Sequence, residues 1–220
     1  LKLATSIDGR IATAAGESRW ITGPAARARV HLMRARHDAV LVGGGTARAD
    51  DPELTVRGLG TGHQPVRIVA AATLALPREG RLAGSVDAGP LWLLHGPDAP
   101  EAACRYWRDL GARLISVPAV AGGRLDAAAM VAALGAEGLT RVFCEGGGEL
   151  AAALLEARAV DRLVAFGAGL VIGAEGRPGV GALGLGRLAA APRFALTGVE
   201  RVGADIMLNW DRLPQGDAPD

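Results

Sequence analysis

Arg141–Ala157 reads RVFCEGGGELAAALLEA, and the order of its parts says what must surround it. A short apolar run, VFC, leads through Glu145 into Gly146, Gly147 and Gly148, and the glycines open onto an alanine- and leucine-rich stretch. That order predicts a buried strand, a turn with bare backbone, and a helix. A second apolar run ends in the same way. In DAVLVGGGTARADDPELTVR, Asp38–Arg57, the run AVLVG stops at glycines and a threonine follows. Two strands that each end in glycines can present two bare corners to one elongated ligand.

Around these lie further alternations of strand and helix. LKLAT (Leu1–Thr5) predicts a strand, and Pro24–Arg36 a helix with Pro24 at its first position behind Thr22-Gly23. AVLVG (Ala39–Gly43), VRIVA (Val66–Ala70) and LWLLH (Leu91–His95) are continuous apolar runs of the kind a sheet buried on both faces requires. Asp98–Leu110 is expected to be a helix closed by Gly111, with ARLISV as the next strand. Asp126 can cap a helix running to Glu137, with Gly138 just past its end. Leu163–Ile172 returns to the sheet, and Phe194–Val202 with Asp205–Trp210 form a closing pair of strands. The expected class is α/β: a central mixed, mainly parallel sheet flanked by helices, with antiparallel strands at the C-terminal end. Gly58–Pro65 and Gly173–Gly186 read as loops and neither marks a boundary, so a single domain over residues 1–220 is expected.

Composition narrows the function classes. Half of the 220 residues are apolar, enough to bury a sizeable core. The net charge is +1 and the arginines are dispersed, which argues against a nucleic-acid partner. The longest apolar run, Leu163–Ile172, is broken by glycines and is far short of the roughly 20 residues a membrane span needs. Cys104 and Cys144 form no CxxC and read as buried thiols of a cytoplasmic protein, with no disulfide framework and no metal site. No charged-then-apolar leader precedes Leu1, so no signal peptide is expected, and the start without methionine inside a strand suggests a piece of something longer.

The candidate chemistry lies in the glycine corners and the polar residues beside them. Gly146-x-Gly148-x-x-Ala151 matches G-x-G-x-x-[GA] at a helix start, where free N–H groups attract phosphate. A Rossmann version wants an acid about 20 residues on, and the next strand, LVAFGAGLVIG, ends without one, so that fold is not supported. Gly43–Thr46 lacks the third glycine, because Arg48 stands there, and has no Walker lysine. For both corners an ordinary tight turn remains the other reading. In Asp50-Asp51-Pro52 the proline is expected to keep Asp51 extended, with one aspartate capping or facing a ligand as acceptor or proton source. Arg57 ends a β-prone run with Leu54 and Val56 on one side and Thr55 and Arg57 on the other; Arg34 can supply the second cation that a phosphate asks for. SIDGR (Ser6–Arg10) reads as a hairpin turn, and Trp20 either anchors the following helix or stacks on a flat ligand. Trp107 and Met130 read as core. GxSxG, HExxH and the zinc-deaminase pattern are all missing.

Taken together, KLATSIDGRIA, GESRWIT, RVHLMRARHDAVLVGGGT, ADDPELTVR and VFCEGGGELAAALL, in this order, closely resemble the reductase domain of bacterial riboflavin biosynthesis. That domain is the C-terminal half of a bifunctional deaminase–reductase. The resemblance implies a dihydrofolate-reductase-like α/β fold and a homodimer, and a native fusion to a deaminase domain that this chain does not contain. It also implies NADPH-dependent reduction of the ribose of 5-amino-6-(5-phosphoribosylamino)uracil to the ribitylamino product. Carried over by motif, Ser18, Arg34, Leu54, Arg57 and Glu145 match positions that bind this phosphorylated pyrimidine substrate, with both arginines suited to its phosphate. Ala4 (where glycine is also common), Trp20, Thr46, Asp50 and the turn Gly147, Gly148, Glu149, Leu150, Ala151, Ala152 and Ala153 match cofactor positions. Lys2, Asp50 and Glu145 are the candidate catalytic groups at the reacting sugar carbon. Two rivals stand beside this reading: a reductase of the same fold acting on a diamino-pyrimidinone or dihydrofolate, and a non-catalytic nucleotide-binding module. The Arg34/Arg57 pair argues against the first, and the retained Lys2, Asp50 and Glu145 argue against the second.

Overall fold

The computed structural model describes residues 1–60 and 62–213. In chain order it forms β1 (Lys2–Ser6), β2 (Arg10–Ala12), α1 (Pro24–Ala35), β3 (Ala39–Gly43), α2 (Gly44–Asp50), β4 (Val66–Ala70), α3 (Arg81–Gly84), β5 (Leu91–His95), α4 (Glu101–Asp109) and β6 (Arg113–Ser116). There follow β7 (Ala119–Val120), β8 (Arg124–Leu125), α5 (Ala127–Ala136), β9 (Val142–Cys144), α6 (Gly148–Glu156), β10 (Arg162–Ala168), β11 (Arg177–Pro178), β12 (Phe194–Val202) and β13 (Asp205–Arg212). The chain divides into two compact units, Leu1–Arg29 with Gly148–Asp220, and Val30–Gly147. No helix among the described residues is long and apolar enough to cross a membrane.

The unit Val30–Gly147 is built on a five-stranded sheet in the order β6-β5-β4-β3-β9, parallel throughout. Its central strands carry almost no polar side chain because both faces are covered, and Ala39–Val42 are all buried. Val40, Val42, Leu54, Val69, Leu82, Leu93, Trp107 and Phe143 share one core cluster. Asp126 caps α5 as its sequence predicts, accepting from Ala129 N at 2.9 Å. Asp38, just before β3, latches the neighbouring strand: its carboxylate accepts from Thr140 N, Thr140 Oγ1 and Arg141 N at 2.8–2.9 Å, directly ahead of β9. The exception to the apolar rule is Arg67 on β4, fully buried, with its guanidinium spread over Glu53 O, Ser85 Oγ, Val86 O and Gly89 O.

The other unit holds a four-stranded sheet in the order β1-β10-β13-β12. β1 and β10 are parallel, while β10, β13 and β12 run antiparallel, β12 and β13 being joined by a tight turn at Gly203. The expected α/β class, parallel sheet and closing antiparallel pair are therefore all present, with the strands distributed over two principal sheets.

Several local expectations are corrected. SIDGR does turn, with Gly9 N donating to Ser6 O, but it makes no hairpin: β1 pairs with β10 and β2 with β11. Side chains close the turn instead, as Ser6 Oγ donates to Asp8 and Asp8 accepts from Ile172 N and Gly173 N. Those two bonds draw the chain out of the sheet, so β10 ends at Ala168 and not at Ile172. Pro100 fixes the start of α4 at Glu101, later than Asp98. The glycines after β3 open the short helix α2 and do not form a free turn. Asp51 is left-handed (φ 41°), not extended, because it ends α2 with its N–H on Ala47 O, a conformation aspartate tolerates. Its carboxylate accepts from Arg81 N and Leu82 N, at the start of α3. The run Glu53–Arg57 is not a strand: Leu54 has φ 60° and Leu54, Thr55 and Val56 are all buried, so no side alternates. Trp20 is 68% exposed and does not anchor α1 in a core, whereas Trp107 and Met130 are core as expected.

The Asp38 latch has a pH signature. The Thr140 hydroxyl, then the Arg141 and Thr140 amides, lower the Asp38 carboxyl to about 2. A depressed folded-state value stabilises above the unfolded value of about 3.9 and is lost as pH falls toward 2. Asp38→Ala should therefore lower the melting temperature at neutral pH and flatten its decline below pH about 4 in thermal denaturation. An unchanged acid limb would show that the latch contributes nothing.

Candidate active site

From β3 the chain steps outward to β4, β5 and β6, and β9 is added on the other side of β3. Strand order reverses there. In an open parallel sheet the loops leaving two such neighbours diverge, and the crevice beyond their carboxyl ends is where ligands bind. The two strands concerned are the two that end in glycines. Glu145 N donates to Leu41 O at 2.9 Å and Gly43 N to Gly146 O at 3.4 Å, so the corners lie side by side. Thr46 Oγ1 bridges them, donating to Gly146 O at 3.4 Å. Gly147 has φ +100°, and a Cβ there would stand 2.7 Å from Thr46 Oγ1, so no other residue fits without displacement. Gly45 is different: its φ is not positive and an added Cβ would meet nothing within 4 Å, so nothing in the protein itself demands a glycine.

Glu145 follows β9 and is held by Arg34 from the last turn of α1. Arg34 Nε and Nη2 both donate to the carboxylate, the latter at 2.9 Å, and Nη1 donates to Thr55 O at 2.8 Å. Both side chains are 11% exposed. A two-point fork of this kind sets the orientation of the carboxylate as well as its charge. Arg57 is placed otherwise: its guanidinium is 57% exposed, with Nη1 3.3 Å from Glu53. The two arginines thus have different carboxylate partners. His31, one helical turn before Arg34, accepts from Arg57 N at 3.2 Å through Nδ1. Burial first, and then the Arg34 and Arg57 guanidiniums, hold its imidazole below the ordinary histidine value, favouring the neutral ring that this bond requires.

The remaining expected residues are distributed as follows. In the same unit, Thr46 lies in the first turn of α2 and Asp50 ends it, its carbonyl accepting from Arg81 Nη2; Leu54 is buried in the core cluster with its left-handed backbone. In the other unit, Lys2 and Ala4 sit on β1 opposite Val164 and Phe166, and Ser18 lies in the loop before α1. Trp20 carries the Arg27 guanidinium 4.3 Å above its ring. Gly148, Glu149 and Leu150 open α6, while Ala151 and Ala152 are fully buried and Ala153 is half-buried. Cys144 is no nucleophile, since burial pushes its thiol up to about 11. Among the described residues no group of His, Cys, Asp and Glu could hold a metal ion.

Sequence reasoning assigned no role to Glu53, His31, Gln64 and Arg67, all of which bear on these groups. Two signals were available. His31 and Arg34 are three apart on one helix and share a face. Arg67 is the only polar residue in VRIVA, and an arginine inside a five-residue buried strand must be answered by acceptors.

Known proteins resemble this chain over nearly its whole length. A family model described as the RibD C-terminal domain matches residues 1–208. The riboflavin biosynthesis protein PYRR of Zea mays, described as chloroplastic, is 36% identical over 212 residues, covering 95% of this chain and 33% of the maize protein. The riboflavin biosynthesis protein RibD of Escherichia coli K12 is 34% identical over 221 residues, covering 95% of this chain and 58% of that protein. A solved structure of Acinetobacter baumannii RibD superposes with a TM-score of 0.80 at 27% identity, covering 97% of this chain and 57% of that one. The chain thus spans from a third to somewhat over half the length of the proteins it matches. With the match running through both glycine corners and the Arg34–Glu145 pair, the chain belongs to the RibD C-terminal domain family.

Proposed function

We propose that this chain reduces the ribose of 5-amino-6-(5-phosphoribosylamino)uracil to the ribitylamino product with NADPH, a step of riboflavin biosynthesis. The observation that carries this reading is the pair of glycine corners at the reversal of strand order, with a fixed carboxylate, Glu145, beside them. The residues present fit a dinucleotide. Gly45 leaves open space where a side chain would stand, and Gly147 brings bare backbone against Thr46. Thr46, Asp50 and Gly147 would hold the cofactor. When bound, NADPH supplies a hydride.

The protein's share is alignment and charge placement. Glu145, oriented by Arg34, accepts hydrogen bonds from the sugar, and with Asp50 it forms the set from which a proton reaches the heteroatom bonded to the carbon that takes the hydride. Arg57, the guanidinium with exposed surface to offer, takes the substrate phosphate through charge-assisted bonds. Arg34 contributes mainly through Glu145. Leu54 belongs to the same substrate set. Pairing of two copies, and a deaminase that supplies the uracil, belong to the same proposal.

The direct test is loss of NADPH absorbance when the chain meets the phosphoribosylaminouracil; turnover with dihydrofolate alone would replace this reading with its rival. Arg57→Ala should raise the KM for the phosphorylated substrate by about 30-fold, roughly 2 kcal/mol, and leave that for NADPH within about twofold. Equal losses toward both would reject the phosphate role. Gly45→Val should not lower the melting temperature, because an added Cβ meets nothing within 4 Å and glycine is a poor helix former, and should weaken NADPH binding by about tenfold or more. Undiminished NADPH affinity in a titration would remove that corner from the cofactor site.

A further inference from the structure

Glu53–Arg57 joins α2 to β4 without belonging to either, and no strand pairs with it. With Leu54 at φ 60° the segment cannot run extended, so a sheet edge cannot satisfy its backbone. Side chains do so at five groups. Arg67 Nη1 donates to Glu53 O at 3.2 Å, Arg34 Nη1 donates to Thr55 O at 2.8 Å, and His31 Nδ1 accepts from Arg57 N at 3.2 Å. Gln64 meets the remaining two: Oε1 accepts from Val56 N at 2.7 Å and Nε2 donates to Val56 O at 3.1 Å. One amide thus presents an acceptor and a donor to a single residue, as a neighbouring strand would.

Gln64 is itself well held. It precedes Pro65, which restricts its backbone, and its stem lies against Gly89, where an added Cβ would come within 2.9 Å of Gln64 Cβ. The carbonyl of Gly89 accepts from Arg67 Nη2 at 2.6 Å, so one turn supports both braces of the segment.

We propose that Gln64 is a positioning residue for the phosphorylated substrate: by gripping both polar groups of Val56 it sets the place of Arg57, the next residue, and of Leu54 two before. This rests on the reading of Arg57 as the phosphate contact. Arg67 is the less useful probe, because its four bonds reach three parts of the chain and its removal perturbs them all. The Gln64 side chain hydrogen-bonds the backbone of Val56 at both its oxygen and its nitrogen.

The test compares Gln64→Met, which keeps the length and removes both bonds, with Gln64→Glu, which keeps the acceptor for Val56 N and loses the donor. Four quantities are read: KM for each substrate, affinity for ribose 5-phosphate by calorimetry, melting temperature, and the rate of trypsin cleavage after Arg57 by mass spectrometry. In Gln64→Met, KM for the phosphoribosylaminouracil and Kd for ribose 5-phosphate should rise about tenfold, cleavage after Arg57 should quicken, and KM for NADPH should stay within about twofold. Gln64→Glu should fall between wild type and Gln64→Met. Unchanged ribose 5-phosphate affinity overturns the proposal, as does a loss shared equally with NADPH. A wild-type chain that binds ribose 5-phosphate but reduces no pyrimidine defeats the function proposed above and leaves Gln64 to be judged on binding and cleavage. A wild-type chain that does not bind ribose 5-phosphate defeats both.

Discussion

The fork between Arg34 and Glu145 holds the chemistry of this unit in place. One guanidinium joins three separated stretches of chain: the last turn of α1, the residue after β9, and the carbonyl of Thr55 in the segment before β4. Both side chains are largely withdrawn from solvent, so each charge depends on the other for compensation. In such a pair, loss of one partner strands the other, at a cost well above that of an exposed surface pair. The bidentate geometry also limits how the carboxylate can turn. The residue beside the bare corner is thereby held in one orientation.

The corners depend in turn on the strand order. Parallel strands cannot be joined by tight turns, so each strand of the sheet sends the chain off at its carboxyl end. Where successive crossovers run to opposite sides, as they do around β3, two loops part and main chain is left uncovered. Glycines suit that position for two distinct reasons. Gly147 is required by its own backbone and by Thr46, whereas Gly45 has no such requirement inside the protein. The contrast separates a glycine that serves folding from one that keeps space open.

Glu53–Arg57 shows the opposite economy. It has no regular structure, yet its backbone groups are met one by one by Arg67, Arg34, Gln64 and His31. Such a segment can hold a conformation that neither helix nor strand allows, including the left-handed Leu54, because the surrounding side chains over-determine it. Its shape is therefore encoded away from the segment.

That difference accounts for what could be read in advance. The parallel strands, the Asp126 cap, the strand–turn–helix at Val142–Glu156 and the closing pair β12–β13 follow from runs of apolar residues and from glycine, proline and aspartate at fixed offsets, which are local properties. The same holds for the motif resemblance that pointed to the family, since motifs are contiguous. Failures occurred where partners distant in sequence override local preference. Asp51 left the extended region to end one helix and hold the next, Ser6–Arg10 lost its hairpin to β10 and β11, and Thr55 was buried beside Leu54 because Arg34 and Arg67 answer the backbone there. The choice of Glu145 as the Arg34 partner, and of Val56 as the Gln64 partner, could not be read from spacing: 111 residues separate the first pair. Periodicity and turn chemistry by themselves determined the class of fold and which strands end bare. Only the tertiary structure decided which charges meet and which backbone is braced, because a hydrogen bond depends on distance and angle in space, and the chain's order leaves both open.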